Sequence, residues 1–598
     1  VDFNQVLTED PRHPFLPLSD FLKGAEEAEV LGNDYEGTGL HIYDGRDFIY
    51  GTSLAYYHPH LGRVAHYLPF KHNFGVNLEH RSLEAFRDTM VARAASGKPT
   101  TTHNGQYDLQ AFRSLAGVDY EGELWDTLVW SQLINENQPF SKSLDTCAKM
   151  YLDIQKIEKP PANTWKYQAA ENIYTYARQD AILHLELALK MKPLMEAEKL
   201  FDRVWPQKQK TLRILLEMKR RGVLVNTELC EREYSIGVHI MDEITEALGI
   251  NPGSPLGLKK LLIDELGLPV VKVTPNGAPS FDKEAMEIYD EMLELVDDPT
   301  AAYVREYRGY QKATSSCYRA YLDKLSPDGR LRTSYNQHRT KTGRLSSSDP
   351  NLQQIPRQSN KDWSRNVKRS FVGKPGYVLL EGDYSQLEFR LGAAYAGEMR
   401  LLEIFNDDSR DVFTEMTKQL EGEFTEEGRY RTKTKTYTIQ YGGGVKRLEH
   451  VFRIPYAKAL EQKQNFEATY ANMKKTSDHV AAVAKRKKKV PLWSGRYRHF
   501  AFPKTEAHKA FNSVMQGGAA DIVEFAMHRA FDQIDNEDCR LLMQVHDSLV
   551  FEVREDLVDV YKPQIKEIME DVRGPASEAN PTGDFGVKFK VDVHSWAK

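Results

Sequence analysis

Tyr377-Val-Leu-Leu-Glu-Gly-Asp383-Tyr-Ser-Gln-Leu-Glu388-Phe-Arg390 reads as a buried strand running straight into a helix. Tyr377 to Leu380 are apolar and β-favouring, Gly382 loosens the strand end, and Leu387 and Leu391 recur at helical spacing. Asp383 therefore falls at the junction. A lone Asp there has a ready explanation as a helix N-cap. A second carboxylate presented the same way changes the reading.

That second carboxylate lies in Leu541-Leu-Met-Gln-Val-His546-Asp547-Ser-Leu-Val-Phe-Glu-Val553. Two apolar arms flank His546-Asp547, so the segment folds most simply as a hairpin with Asp547 at its tip. Pairing of this hairpin beside the Asp383 strand would bring both carboxylates to one spot. Two acids so close repel unless cations lie between them. The usual arrangement is a pair of Mg²⁺ ions about 3.5–4 Å apart that clamp the attacking and leaving oxygens of a phosphoryl transfer.

Arg429, Lys433, Tyr437 and Tyr441-Gly442 lie between the two acids in the chain. With Asp383-Tyr-Ser-Gln-Leu-Glu388 and Val545-His-Asp547 they resemble the three catalytic motifs of family A DNA polymerases, the DNA polymerase I type. Thr342-Gly-Arg344-Leu-Ser-Ser, Asp349-Pro-Asn351-Leu-Gln-Gln354-Ile-Pro356 and Asn512…Gln516-Gly-Gly-Ala-Ala-Asp521 add to the match, which keeps the family's order from about Val30 to Trp596. The resemblance implies a multidomain α/β and α+β chain. An RNase H-like exonuclease domain would precede a right-hand polymerase with an antiparallel palm sheet and helical thumb and fingers. The expected boundaries are 1–204 for the exonuclease, 205–332 for the thumb, 333–405 and 530–598 for the two parts of the palm, and 406–529 for the fingers.

Bulk composition agrees. The 598 residues exceed one core, and a prior of about 100–200 residues per domain gives three to five units. Hydrophobic content is 41%, no apolar run approaches the ~20 residues needed to cross a bilayer, and no signal segment opens the chain. The expectation is a soluble, cytoplasmic monomer of bacterial or phage origin that does not bind membranes, with an organellar origin left open. Cys147, Cys230, Cys317 and Cys539 are scattered without metal-ligand spacing. A net charge of −6 decides nothing about DNA, because affinity depends on the cations at the contact surface. The chain begins at Val1 rather than Met, as a processed or cloned fragment would, and without a 5′-nuclease region it suits a phage replicase and a trimmed cellular enzyme alike.

Short apolar runs alternate with turn residues from Val30 to Tyr57, which predicts a strand meander; helical patterns follow from Leu83, making an α/β unit. Asp34 and Glu36 stand two apart on a strand, hence on one face. Singly, these and Asp108 and Asp180 read as surface acids or caps. As an ordered set they resemble the DEDD 3′–5′ exonucleases, whose four carboxylates hold two metals while a tyrosine, here Tyr176, orients the attacking water. The first motif departs from the family, which has an apolar residue and Thr or Ser where this chain has Asn33 and Gly37. Asp126 reads either as a further family position or as a helix cap for Thr127 onward.

Trp205-Pro206 marks a boundary, followed by a basic amphipathic helix from Thr211 to Arg221 closed by Gly222. In the thumb, Lys312 is a candidate phosphate contact or a solvated lysine. A polymerase has to test base-pair shape while accepting every sequence, and the minor-groove acceptors allow this. By resemblance Arg344 and Gln516 probe the primer terminus and its partner there, and Asn351, Gln354 and Asn512 contact neighbouring nucleotides; Asp-Pro-Asn is also ordinary turn chemistry.

Arg429, Lys433, Tyr437 and Tyr441, spaced four apart, drift only about 40° per step on a helix and form one stripe. A solvated face would look similar. The resemblance puts Arg429 on the outer phosphates of a dNTP, Lys433 near the α-phosphate as proton donor to pyrophosphate, and Tyr437 and Tyr441 against sugar and base. The resemblance adds Gln386 and His546 to this pocket, His546 as a packing or hydrogen-bonding residue near the primer end rather than a general base. By the same resemblance Glu388, with Tyr441, is expected to exclude a ribose 2′-hydroxyl, and Tyr at 437 implies, as a hypothesis, tolerance of nucleotides lacking a 3′-hydroxyl. The resemblance further implies that Asp383, Tyr384 and Asp547 hold two Mg²⁺, with Mn²⁺ able to substitute. Ser548 stands where the family often has Glu. The basic run Lys485 to Lys489 is a solvated surface or a template contact.

The expected activity is template-directed extension of a primer on DNA with dNTPs, coupled to proofreading; a helicase and a single-strand binding protein are candidate partners. A single-subunit RNA polymerase shares the motif logic, but Glu388 and the nuclease set argue against it. A nuclease or nucleic-acid-binding protein with a degenerate polymerase half is opposed by Asp383, Asp547, Arg429 and Lys433.

Overall fold

The structure, a computed structural model, describes residues 16–138, 141–156, 169–356, 362–573 and 583–597. No described helix is long and apolar enough to cross a membrane, and all four cysteines are buried and unpaired.

The N-terminal meander forms β1 (Leu31–Gly37), β2 (Ile49–His58) and β3 (Gly62–Pro69), an antiparallel set. β4 (Thr100–Thr102) and β5 (Leu124–Asp126) extend it in parallel, giving the order β3-β2-β1-β4-β5. Helix α1 (Gly105–Ala116) follows β4, α2 (Thr127–Ile134) follows β5, and the long α3 (Ala170–Ala197) packs across β1 and β2. Leu31, Tyr35, Leu54, Phe86 and Phe112 close the core between these layers. Asp126 is the cap of α2: its carboxylate accepts from the Leu128 and Val129 amides, and on the other side from Asn104 and Gly105.

Helix α4 (Trp205–Arg221) begins six residues before the stretch that the amphipathic pattern suggests. Pro206 sits in its first turn, where a missing N–H leaves no helical bond unmade. Trp205 packs at 90° on Trp130, with centroids 5.8 Å apart, so the Trp-Pro pair starts a packed helix. Gly222, at φ 59°, ends it where a Cβ would stand 2.9 Å from the Leu331 carbonyl.

Beyond α4 come β6 (Val223–Val225), helices from α5 (Thr227–Leu248) to α6 (Thr300–Gln311), and β7 (Arg330–Leu331); β8 (Phe371–Val372) completes a three-stranded sheet with β6 in the middle. The decisive stretch then forms β9 (Tyr377–Tyr384) and α7 (Leu387–Ala396) as its pattern predicts. Asp383 is no cap, because α7 starts from Gln386, at φ 54° and without a side-chain bond. Helices α8 (Val412–Glu421), α9 (Glu426–Gln440) and α10 (Ala510–Gln533) lead to the hairpin β10 (Cys539–Val545) and β11 (Ser548–Arg554), then α11 (Val558–Glu570) and β12 (Val591–Ser595).

The central sheet is antiparallel throughout, in the order β10-β11-β9-β12. One face is buried under α10 and α11 by Leu380, Leu549, Phe551, Ile522, Ile565 and Met569. Gly382 does more than loosen the strand: a Cβ there would lie 2.5 Å from the Met569 sulfur, so its absence lets α11 seat against β9. The basic run is ordered. Lys485 to Lys487 form the last turn of a helix, where cations suit its dipole, and Lys489 pairs with Glu198.

Candidate active sites

Register builds the first site. Asp383 lies opposite Ser548 in the β9–β11 ladder, and the turn between β10 and β11 consists of His546 and Asp547 alone. His546 takes φ 54° to make so tight a turn, and the Tyr384 amide donates to the Asp547 carbonyl at 3.4 Å. Asp383 and Asp547 thus stand on adjacent strands one residue out of step, Asp383 exposed and the Asp547 side chain 27% exposed. On its other side Asp383 faces Asp592 of β12. The Ser548 hydroxyl donates to Glu381 at 2.9 Å, so a carboxylate from β9 lies beside that position.

The Tyr384 phenol is held in the core, donating to the Met569 carbonyl at 2.5 Å, so Tyr384 offers the site its main chain. Gln353, which the sequence did not single out, clamps the turn: it accepts from the His546 amide at 3.2 Å and donates to the Gln544 carbonyl at 3.3 Å. Gln354 is exposed one residue further on. Asn351 performs the turn chemistry, its oxygen accepting from the Gln353 amide and the Ser347 hydroxyl, both at 3.0 Å.

A single Arg344 nitrogen donates to Glu388 and, at 3.3 Å, to Asp547. Burial pushes the Glu388 carboxyl up, against the pull of Arg344. Tyr441 lies beside Glu388, each raising or lowering the other's proton affinity, and its ring stacks on Tyr437 with centroids 5.9 Å apart. Arg429, Lys433 and Tyr437 do line one open stripe of α9, between buried Gly428, Thr432, Thr436 and Gln440. Tyr441 lies just past the helix end; its amide still bonds the Tyr437 carbonyl at 2.9 Å, which keeps it in line before Gly442 turns away at φ 79°. Asn512 and Gln516 are half-buried one turn apart on α10, whose other residues there are largely buried. Lys312 is exposed at the end of α6.

The second site is in the N-terminal sheet. Carboxylate oxygens of Asp34, Glu36 and Asp180 all lie within 4.8 Å of one another. Asp108 stands outside that trio, buried in the first turn of α1; burial first, then Asp34 and Asp126, push its carboxyl well up. Asp180 is pushed up to about 6 by burial and by Asp34, and one of its oxygens is buried without a bond to any described residue. Such a trio of hard oxygen donors, one of them turned inward, fits a divalent cation. Lys156, which no sequence pattern marks, reaches Asp180 at 2.7 Å and the Tyr176 hydroxyl at 2.9 Å. Asn33 is satisfied on β2, donating to Thr52 and to the Ser53 carbonyl. Gly37 sits at a bulge where a Cβ would press on Tyr107, Ile49 and Phe48.

A four-stranded antiparallel sheet that presents two acids at a hairpin tip and a neighbouring strand end, linked through Glu388 and Tyr441 to a basic and aromatic helix, defines a right-hand polymerase fold. Residues 228–596 match the sequence profile described as DNA polymerase family A, and the chain belongs to that family. It is 28% identical to DNA polymerase I of Pseudomonas aeruginosa over 95% of this chain and 64% of that protein. It is 30% identical to the thermostable DNA polymerase I of Thermus thermophilus over 66% of this chain and 49% of that one. The chain thus spans less than two thirds of these relatives. Among solved structures, the POL domain of Pol1 from M. smegmatis, in complex with DNA primer-template and dNTP, superposes with a TM-score of 0.82 at 24% identity, covering 98% of this chain and 99% of that one.

Proposed function

We propose that this chain extends a primer 3′ end on a DNA template with dNTPs and removes misplaced ends with a 3′–5′ exonuclease in its first 204 residues, the thumb, palm and fingers following at 205–332, 333–405 with 530–598, and 406–529. The observation that carries the reading is the ladder that sets Asp383 beside the Asp547 turn, with the Arg429–Tyr437 stripe and the Glu388–Tyr441 pair in the same fold. Asp383, Asp547 and the Tyr384 carbonyl would hold Mg²⁺ in the polymerase, and Asp34, Glu36, Asp180 and Asp108 in the nuclease. Bound there, such ions activate an attacking oxygen and steady the leaving one.

The chain's own groups supply the rest. Arg429 and Lys433 bind the triphosphate, and Lys433 gives a proton to departing pyrophosphate. Tyr437 and Tyr441 bear on sugar and base, with Gln386 and His546 beside them. Glu388 and Tyr441 fill the space of a 2′-hydroxyl, and Tyr437 admits nucleotides without a 3′-hydroxyl. Arg344 and Gln516 test minor-groove acceptors, while Asn512, Asn351, Gln354 and Lys312 bind neighbouring parts of the primer–template. In the nuclease, Tyr176 orients the attacking water.

A labelled primer–template incubated with Mg²⁺, with and without dNTPs, tests both activities. Asp547→Ala is expected to abolish extension and spare degradation, and Asp34→Ala to do the reverse. Degradation lost in both variants, or extension retained by Asp547→Ala, would refute the division of labour.

A further inference from the structure

Asp411 caps α8, its Oδ1 accepting from the Thr414 amide and from the Thr414 hydroxyl, each at 2.8 Å. The same carboxylate takes the Arg429 guanidinium side-on, Nε to Oδ1 at 2.9 Å and Nη2 to Oδ2 at 3.1 Å. Arg429 and Asp411 are 34% and 39% exposed, so the pair contributes little to stability. Its geometry matters more. A guanidinium carries five N–H groups in a rigid fork. Asp411 engages one edge and leaves Nη1 and an outer hydrogen of Nη2 without bonds to any described residue. The cap bonds fix the carboxylate, and the carboxylate fixes the guanidinium plane.

We propose that Asp411 is a positioning residue for the incoming nucleotide, holding Arg429 so that its open edge meets the outer phosphates. This rests on the reading of Arg429 as a triphosphate ligand. The sign of the effect separates aiming from plain charge. An anion beside a triphosphate weakens Coulomb attraction, so if charge alone mattered, neutralising Asp411 would tighten nucleotide binding. If aim matters, neutralising it loosens binding.

Asp411→Asn keeps an oxygen for the cap, since Asn serves there as well as Asp, and removes the bidentate charged partner. In single-nucleotide incorporation, KM for the correct dNTP is expected to rise about tenfold with kcat within about twofold, the scale of one charge-assisted hydrogen bond. The melting temperature is expected to hold. Asp411→Ser, which also caps but cannot span the fork, is expected to give the same rise. In an Arg429→Ala background neither substitution should raise KM further, because the group being aimed is gone. A KM unchanged or lowered by both variants, or a rise that persists undiminished without Arg429, overturns the positioning role. If Arg429→Ala alone leaves KM unchanged, the triphosphate reading fails and takes this inference with it.

Discussion

The Arg344 guanidinium lies 3.3 Å from the Asp547 carboxylate while the same nitrogen donates to Glu388. One cation therefore joins a proposed metal ligand to the residue proposed to sense the sugar. Arg344→Ala is expected to lower kcat/KM for correct incorporation by about 10–100-fold, the scale of a lost hydrogen bond to a charged group. Affinity for primer–template should change less. Single-turnover incorporation beside equilibrium DNA binding checks this, and a loss confined to DNA binding would contradict it.

Glu388 is buried next to Tyr441; in the proposed nucleotide site its bulk and its desolvated carboxylate would both stand against a 2′-hydroxyl. Glu388→Ala is expected to raise ribonucleotide use relative to dNTP use by about 10–100-fold, the scale of relieved overpacking. Competition between rNTP and dNTP opposite one template base measures it.

His528 joins α10 to α4, within 2.7 Å of the Thr211 hydroxyl. Burial lowers it from 6.5 to about 4, against the pull of Glu524. The folded protein thus resists a proton that the unfolded chain accepts near 6.5. This site's stability is whole above pH 6.5 and falls as pH drops toward 4, by on the order of 3 kcal/mol. Melting curves between pH 7.5 and pH 4.5, each about one buffer step apart, should show the fall, and His528→Gln should flatten part of it. An identical slope in the variant would count against the assignment.

Gly37 has no room for the Thr or Ser that the exonuclease resemblance leads one to expect there. A Cβ would stand 2.7 Å from the Tyr107 hydroxyl, 2.8 Å from Ile49 and 3.0 Å from the Phe48 carbonyl. Gly37→Ala is therefore expected to destabilise the N-terminal unit by about 1–3 kcal/mol without speeding degradation, read from thermal melts and a single-strand digestion assay.

Local pattern carried much of this structure. Strand β9, helix α7, the His546–Asp547 hairpin and the shared face of Asp34 and Glu36 follow from periodicity and turn chemistry within a few residues. Partnerships across the chain were not legible. Nothing near Gln353 says that it will clamp a turn 193 residues later, and nothing near Lys156 says that it will reach Asp180. Asp411 shows its cap in Asp-x-x-Thr, but its hold on Arg429 depends on how α8 and α9 pack. The spacing of four carried Tyr441 along the α9 stripe although the helix stops at Gln440, because spacing does not report where Gly442 will turn the chain.

The central claim is that Asp383 and Asp547 jointly seat divalent ions at a primer end. Crystals of the chain with a dideoxy-terminated primer–template, the next dNTP and Mn²⁺ would test it through the anomalous signal of the metal. The account predicts anomalous density held between the Asp383 and Asp547 carboxylates and touching the triphosphate. Bound DNA and nucleotide with no such density, or with metal on only one of the two acids, would contradict it.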